Sequence, residues 1–238
     1  MSLTYSTYVS TLANLLVIPS TDPGYTTDLP SIIDDAELRC YRDLDLLNTI
    51  VRDSSATLTT STRTFNLPSS IGTFVVVEAI NIITPSTTTT ADLGTRNPVV
   101  PATKDFLDFS FPSSTGSTVP QFFGMISQST VIFGPWPDAA YTVEVVGTIR
   151  PTALSVTNTT TLLSWYFPDL FMAASMVRAA AFLKDYGAAV DDPKIAMTWE
   201  SHYATLLNGA QTEEARKKFT GQGWSSKQPA QIATPPRT

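Results

Sequence analysis

The chain has 238 residues with 15 Lys+Arg against 21 Asp+Glu, a formal net charge of −6; only 15% of residues are charged and 42% are apolar. One Cys and one His exclude an intrachain disulfide, a structural zinc site, and any Cys–His nucleophile pair other than Cys40 with His202. An acidic surface repels nucleic-acid phosphates, and the apolar fraction suits one or two domains with a substantial core, not a disordered polyanion.

No cation precedes Arg39, so the N-terminus lacks the positive stretch of a secretory signal. The uncharged residues 1–21 are interrupted by Ser, Thr, Tyr and Asn and stopped by Pro19. They fall short of the roughly 20 mostly apolar residues of a spanning helix. A soluble protein made in the cytoplasm, with no membrane partner, is expected. Tyr5, Tyr8, Val9, Leu12, Leu15 and Leu16 share one helical face before Pro19. After a turn around Pro23-Gly24, Asp28 is expected to cap a second helix with Pro30 in its first turn. Its apolar stripe is Leu29, Ile32, Ile33, Ala36, Cys40 and Leu44.

From about Ala56 the pattern changes to that of strands. Leu58 to Phe65 is β-branched and polar, and Phe74 to Ile83 is the strongest strand. Thr84 to Thr103, rich in Thr and Pro, reads as a long loop, and Thr103 caps a helical turn to Phe109. Gln121–Ile126, Val131–Phe133 and Tyr141–Ile149 read as strands. The last two are expected to form a hairpin through Gly134-Pro135-Trp136-Pro137-Asp138. Helices return at Leu162, where Pro168 begins or kinks a long Ala-rich helix that Gly187 terminates. Asp192-Pro193 starts another helix carrying Ile195, Trp199, His202, Tyr203, Leu206 and Ala210 on one face to about Phe219. Thr220 to Thr238 reads as an extended tail.

The expected fold class is α+β, in which N- and C-terminal helices form a bundle and an antiparallel β domain is inserted between them. The boundaries are 1–55 and 156–219 for the bundle, 56–155 for the β domain, and 220–238 for the tail.

Chemistry finds little support. No phosphate-binding glycine loop and no Gly-x-Ser-x-Gly elbow is present. With 23 Ser and 36 Thr, no hydroxyl stands out as a partner for His202. Cys40 faces an apolar helix side and reads as buried and inert. Asp34/Asp35/Glu37, Asp43/Asp45 and Glu213/Glu214 are the acid pairs a glycoside hydrolase would need. Neighbouring Arg and Lys residues mark each cluster as a solvated helix face instead. No cofactor and no metal is implied.

Charge distribution is more informative. Pro112 to Pro137 has no charged residue yet contains Phe122, Phe123 and Trp136. Exposed strands normally carry charges against edge pairing. Packing of this region against other chains and a Ser/Thr-covered sandwich remain equal readings. Gln211 to Thr238 holds five Lys/Arg and two acids, leaving ten against nineteen over residues 1–210. Trp224 in the basic tail suits an interface anchor.

Arg39-Cys-Tyr-Arg-Asp-Leu-Asp-Leu46, Pro120-Gln-Phe-Phe-Gly124, Gly134-Pro-Trp-Pro-Asp138 with Tyr141-Thr-Val-Glu-Val145, Leu163-Ser-Trp-Tyr-Phe-Pro-Asp-Leu170, Ala179-Ala-Ala-Phe-Leu-Lys-Asp185 and Trp199-Glu-Ser-His-Tyr203 occur in an order that resembles the head-to-tail adaptors of tailed bacteriophages, including the tail-tubular-protein-A-like connectors. The resemblance spans about residues 30–210. It implies a virion protein without enzymatic chemistry, forming a ring, usually of twelve copies, between a portal protein and a tail nozzle protein. Double-stranded DNA would pass through without sequence-specific binding. In this setting the β surface at Phe122, Phe123 and Trp136 would join subunits, and the tail with Trp224, Lys227 and Arg237 would dock on the portal. The alternatives are a virion-associated cell-wall hydrolase using a carboxylate pair and another neck or tail-completion protein.

Overall fold

A computed structural model describes residues 3–185 and 194–221. Its N-terminal helix α1 (Tyr5–Leu16) begins where Thr4 accepts the Thr7 N–H at 3.3 Å and the Thr7 hydroxyl accepts the Thr4 N–H, a reciprocal cap. It ends at Val17, whose φ of 57° is left-handed. Helix α2 (Pro23–Asp43) starts six residues earlier than Asp28 predicts. Asp22 accepts the Tyr25 N–H at 2.9 Å, and Pro23 occupies the first turn, where its missing donor costs nothing. Pro30 therefore lies inside the helix. Burial decides between the two caps: Tyr25 is fully buried and its hydroxyl donates to the Val9 carbonyl at 2.9 Å, holding the extra turns against α1.

Near the other end, Thr161 caps the short α4 (Leu162–Tyr166), and Pro168 opens α5 (Pro168–Asp185). The last helix is α6 (Lys194–Gly221). Gly187, Asp192 and Pro193, expected to delimit these helices, lie outside the described residues. All five helices α1, α2, α4, α5 and α6 contribute to one apolar core. Tyr8 stacks on Phe171 at 4.8 Å, and its hydroxyl donates to Ser175 at 2.7 Å. Each such fully buried large side chain contributes about 1.5–3 kcal/mol.

Between them lies a seven-stranded sheet: β1 (Ile50–Thr57), β2 (Thr64–Asn66), β3 (Gly72–Thr84), β4 (Thr95–Pro101), β5 (Phe122–Met125), β6 (Thr130–Gly134) and β7 (Thr142–Pro151). The strand order is β1-β7-β3-β4-β5-β6-β2. The sequence neighbours β1 and β2 thus stand at opposite ends, and the sheet curls so that Leu58, Phe65, Phe74, Phe133 and Val145 share a second core.

Three sequence expectations are corrected here. The Thr84–Thr103 stretch contains β4, which pairs with β3 from Ile80↔Val99 to Thr84↔Thr95. The sheet is not wholly antiparallel: β4 runs parallel to β5, with α3 (Lys104–Ser110) in the connection between them. The expected hairpin of β6 and β7 does not form, because β6 pairs with β5 and β2 while β7 lies between β1 and β3. Gly134-Pro135-Trp136-Pro137-Asp138 instead carries the chain from one part of the curled sheet to another.

Candidate interaction surfaces

The acid clusters have more varied surroundings than solvated faces. Asp35 pairs with Arg178 at 2.9 Å, Asp45 with Lys218, and Glu213 with Lys217 at 2.7 Å. Asp43 accepts the Tyr203 hydroxyl at 2.8 Å, and the Arg39 guanidinium lies 3.9 Å from the Tyr203 ring centroid while bonding Glu200. Glu37 and Glu214, however, are buried. Glu37 on α2 accepts the Leu154 N–H and the Thr161 hydroxyl, both at 3.2 Å, on the segment returning from β7 to α4. Glu214 on α6 accepts the Leu47 N–H at 3.0 Å, on the segment leaving α2 for β1. Each connection between helices and sheet is thereby held by one buried glutamate.

Burial pushes the Glu37 carboxyl up to about 7, against the lowering by the Leu154 N–H and the Thr161 hydroxyl; nearby Asp34 adds to the rise. Glu37 takes both of these bonds on one oxygen, and Glu214 takes the Leu47 N–H on one oxygen and the Lys217 ammonium on the other, all donors of the chain itself. Burial likewise pushes the Cys40 thiol up to about 12, which removes its nucleophilic thiolate. His202 is exposed on α6, 5.7 Å from the Trp199 ring. It borders an open hollow of about 590 Å3 with Met197, Thr198, Ser201 and Thr205, a lining with no carboxylate to orient an imidazole. Among the described residues no group of three or more His, Cys, Asp or Glu could hold a metal ion.

The charge-poor β surface is partly consumed within the chain. Phe123 belongs to the sheet core. Phe122 is half-buried, its ring 5.8 Å from Phe106 and 6.3 Å from Phe111. Trp136 is also half-buried, its indole N–H donating to the Phe111 carbonyl at 3.0 Å, with the Arg63 guanidinium 5.5 Å from its ring. The large apolar groups left exposed near this region include Phe106 and Phe109 on α3, Val100 on β4 beside Phe122, and Met125 and Ile126 at the end of β5. Phe106 and Phe109 were legible as a three-residue spacing on a short helix whose Leu107 points inward. Trp224, Lys227 and Arg237 of the tail lie outside the described residues.

Two further apolar surfaces have no counterpart in the sequence reading. Ile71, Pro151, Leu162, Trp165 and Tyr166 line an open cleft of about 620 Å3 where the sheet meets α4. Trp165 and Tyr166 are more than half exposed. The second surface lies on β3, where Val75 and Val76 are exposed. Scattered apolar residues are ordinary, but contiguous ones on a sheet edge mark association surfaces.

A sequence profile of the SU10 adaptor protein family matches residues 3–225 of the chain. No curated protein matches it.

Proposed function

The chain belongs to the SU10 adaptor protein family, a family of phage head-to-tail adaptors, and on that premise we propose that it builds a ring between the portal and the tail nozzle of a virion. The family is a structural one and not an enzyme class. The match over residues 3–225 is the observation that carries the reading. The resemblance of its motifs to tail-tubular-protein-A-like connectors supports a ring of about twelve copies.

In this reading the helices form the bundle that seats on the portal, and the β domain continues toward the nozzle. No described helix is long and apolar enough to cross a membrane. Ten Lys/Arg against nineteen acids over residues 1–210 give a lumen that lets DNA pass without adhering, since retention would need cations to replace its counterions. The exposed apolar side chains serve contacts between neighbouring copies and with the nozzle. A ring needs such contacts to be heterologous, one face of a protomer against a different face of the next.

The tail after Phe219, with Trp224, Lys227 and Arg237, supplies the portal contact. Removing residues after Phe219 should weaken attachment to purified portal at least tenfold while the remaining chain keeps its fold. Undiminished attachment of the truncated chain would contradict this role for the tail.

A further inference from the structure

Helix α6 delivers the chain to the cleft where the sheet meets α4. Along it, Tyr203 donates to Asp43 at the end of α2 at 2.8 Å, and Glu214 accepts the Leu47 N–H just ahead of β1. α6 thus runs toward the sheet. β1 begins level with Thr148 of β7, and Pro151 at the end of β7 lines the cleft. Four residues before α6 ends at Gly221, the Lys217 ammonium lies 5.7 Å from the centre of the Tyr166 ring, another lining group of the same cleft. Four helical residues advance about 6 Å, so residues 222–238 leave α6 beside the cleft.

Cleft and departing segment match in chemistry. Ile71, Pro151, Leu162, Trp165 and Tyr166 make an apolar surface, with Trp165 55% and Tyr166 54% exposed, and Ser70 and Thr160 place hydroxyls among them. None of the described residues that line it is charged. Residues 222–238 carry Trp224, Ile232, Pro229, Pro235 and Pro236, and no acid. Aromatic-lined grooves receive extended proline-rich segments, which lose little entropy on binding. Lys227 and Arg237 give the segment a positive charge, against ten Lys/Arg and nineteen acids over residues 1–210.

We propose that, before the chain meets a portal, this cleft is the docking site of its own residues 222–238, with Trp224 against Tyr166 and Trp165. Trp224 stands three residues beyond Gly221, a reach of at most about 10 Å when extended, which brings its indole to the Tyr166 end of the cleft. The prolines that follow continue over Trp165 toward Pro151. A tether this short gives the tail an effective concentration on the order of millimolar at its own cleft, so the chain's own tail outcompetes that of a second copy in dilute solution. The inference goes beyond the portal role of the tail and stands without it. Where the tail also binds the portal, cleft and portal compete for the same residues, and the exposed rings stay covered until docking.

Tryptic cleavage after Lys227, followed by mass spectrometry on the full-length chain without portal, provides the test. The bond should be cut about tenfold or more slowly than the same bond in a free peptide of residues 222–238, because cutting follows the undocked fraction. The protection should not change on dilution. Trp165→Ser in the cleft and Trp224→Ser in the tail, each with unchanged circular dichroism, should both bring the rate close to that of the peptide. Met197→Ser, at a position 71% exposed on α6, should leave the protection intact. Cleavage of the wild-type chain at the peptide's rate would overturn the proposal. Protection that fades on dilution would assign the cleft to the tail of a second copy, and protection kept in Trp165→Ser would place the tail elsewhere; either overturns it. Portal attachment is read separately by truncation after Phe219. Attachment lost on truncation, with Lys227 unprotected in the free chain, would overturn the cleft docking alone; Lys227 protected, with attachment undiminished on truncation, would support the docking and contradict only the portal role.

Discussion

Glu37 accepts the backbone N–H of Leu154 at 3.2 Å across 117 positions of sequence, and the same oxygen accepts the Thr161 hydroxyl. This buried carboxyl fixes the segment by which the chain returns from the sheet to α4. Its pKa in the folded chain is pushed up from 4.5 to about 7, principally by burial. The folded state therefore binds the proton more tightly than the unfolded state. Stabilisation from this group is full below about pH 4.5 and is lost as pH rises through about 7, a change of roughly 3 kcal/mol for such a shift. Urea midpoints of the wild-type chain should fall between pH 5 and 7.5, and Glu37→Gln should flatten that slope. An identical slope in Glu37→Gln would contradict the assignment.

Glu214 holds the outgoing segment in the same way through the Leu47 N–H, and Lys217 lies 2.8 Å from its carboxylate. Glu214→Ala removes the acceptor for that amide and should cost about 1–3 kcal/mol. Hydrogen exchange at Leu47 should quicken in the variant more than exchange in the α1–α5 contact. Unchanged protection at Leu47 would count against the anchor.

Val17 ends α1 with φ at 57° and is 89% exposed. A β-branched residue pays about 1–2 kcal/mol for that conformation, which glycine adopts freely. Val17→Gly should therefore stabilise the chain by about 1 kcal/mol in chemical denaturation, since no buried contact is lost. A destabilised variant would show that the exposed side chain contributes more than its backbone strain costs.

Gly147 lies at the centre of β7, where an added Cβ would collide with the Val76 carbonyl of β3. Gly147→Ala must push β3 aside and should cost about 1–3 kcal/mol, the usual range for overpacking. Thermal unfolding measures it, and a loss under 0.5 kcal/mol would mean that the register shifts of β3 against β7, between Phe74 and Val76 and between Val77 and Ala79, absorb the methyl.

Local signals in the sequence located much of the fold. The helical face from Tyr5 to Leu16, the Thr103 cap of α3 and the apolar run of β3 all depend on neighbours within a few positions. The mixed helix-and-strand class followed from them. β4 was hidden because Thr95 to Pro101 contains Arg96, Asn97 and two prolines, and its stability comes from β3 instead of its own periodicity. The start of α2 was misplaced because two Asp–Pro caps compete locally, and only the burial of Tyr25 selects Asp22. Glu37 and Glu214 read as solvated because their partners lie 117 and 167 residues away. Association surfaces fared similarly. Phe123 was legible as apolar, but whether it faces a neighbour or its own core depends on how the sheet curls.

We propose that this adaptor-family chain works by assembling as a ring on the portal. Native mass spectrometry of the full-length chain mixed with purified portal ring tests it most directly. The expected result is a discrete complex in which about twelve copies of the chain are bound to one portal ring, lost on removal of the residues after Phe219. Failure of the full-length chain to bind portal, or binding only as scattered single copies, would contradict it.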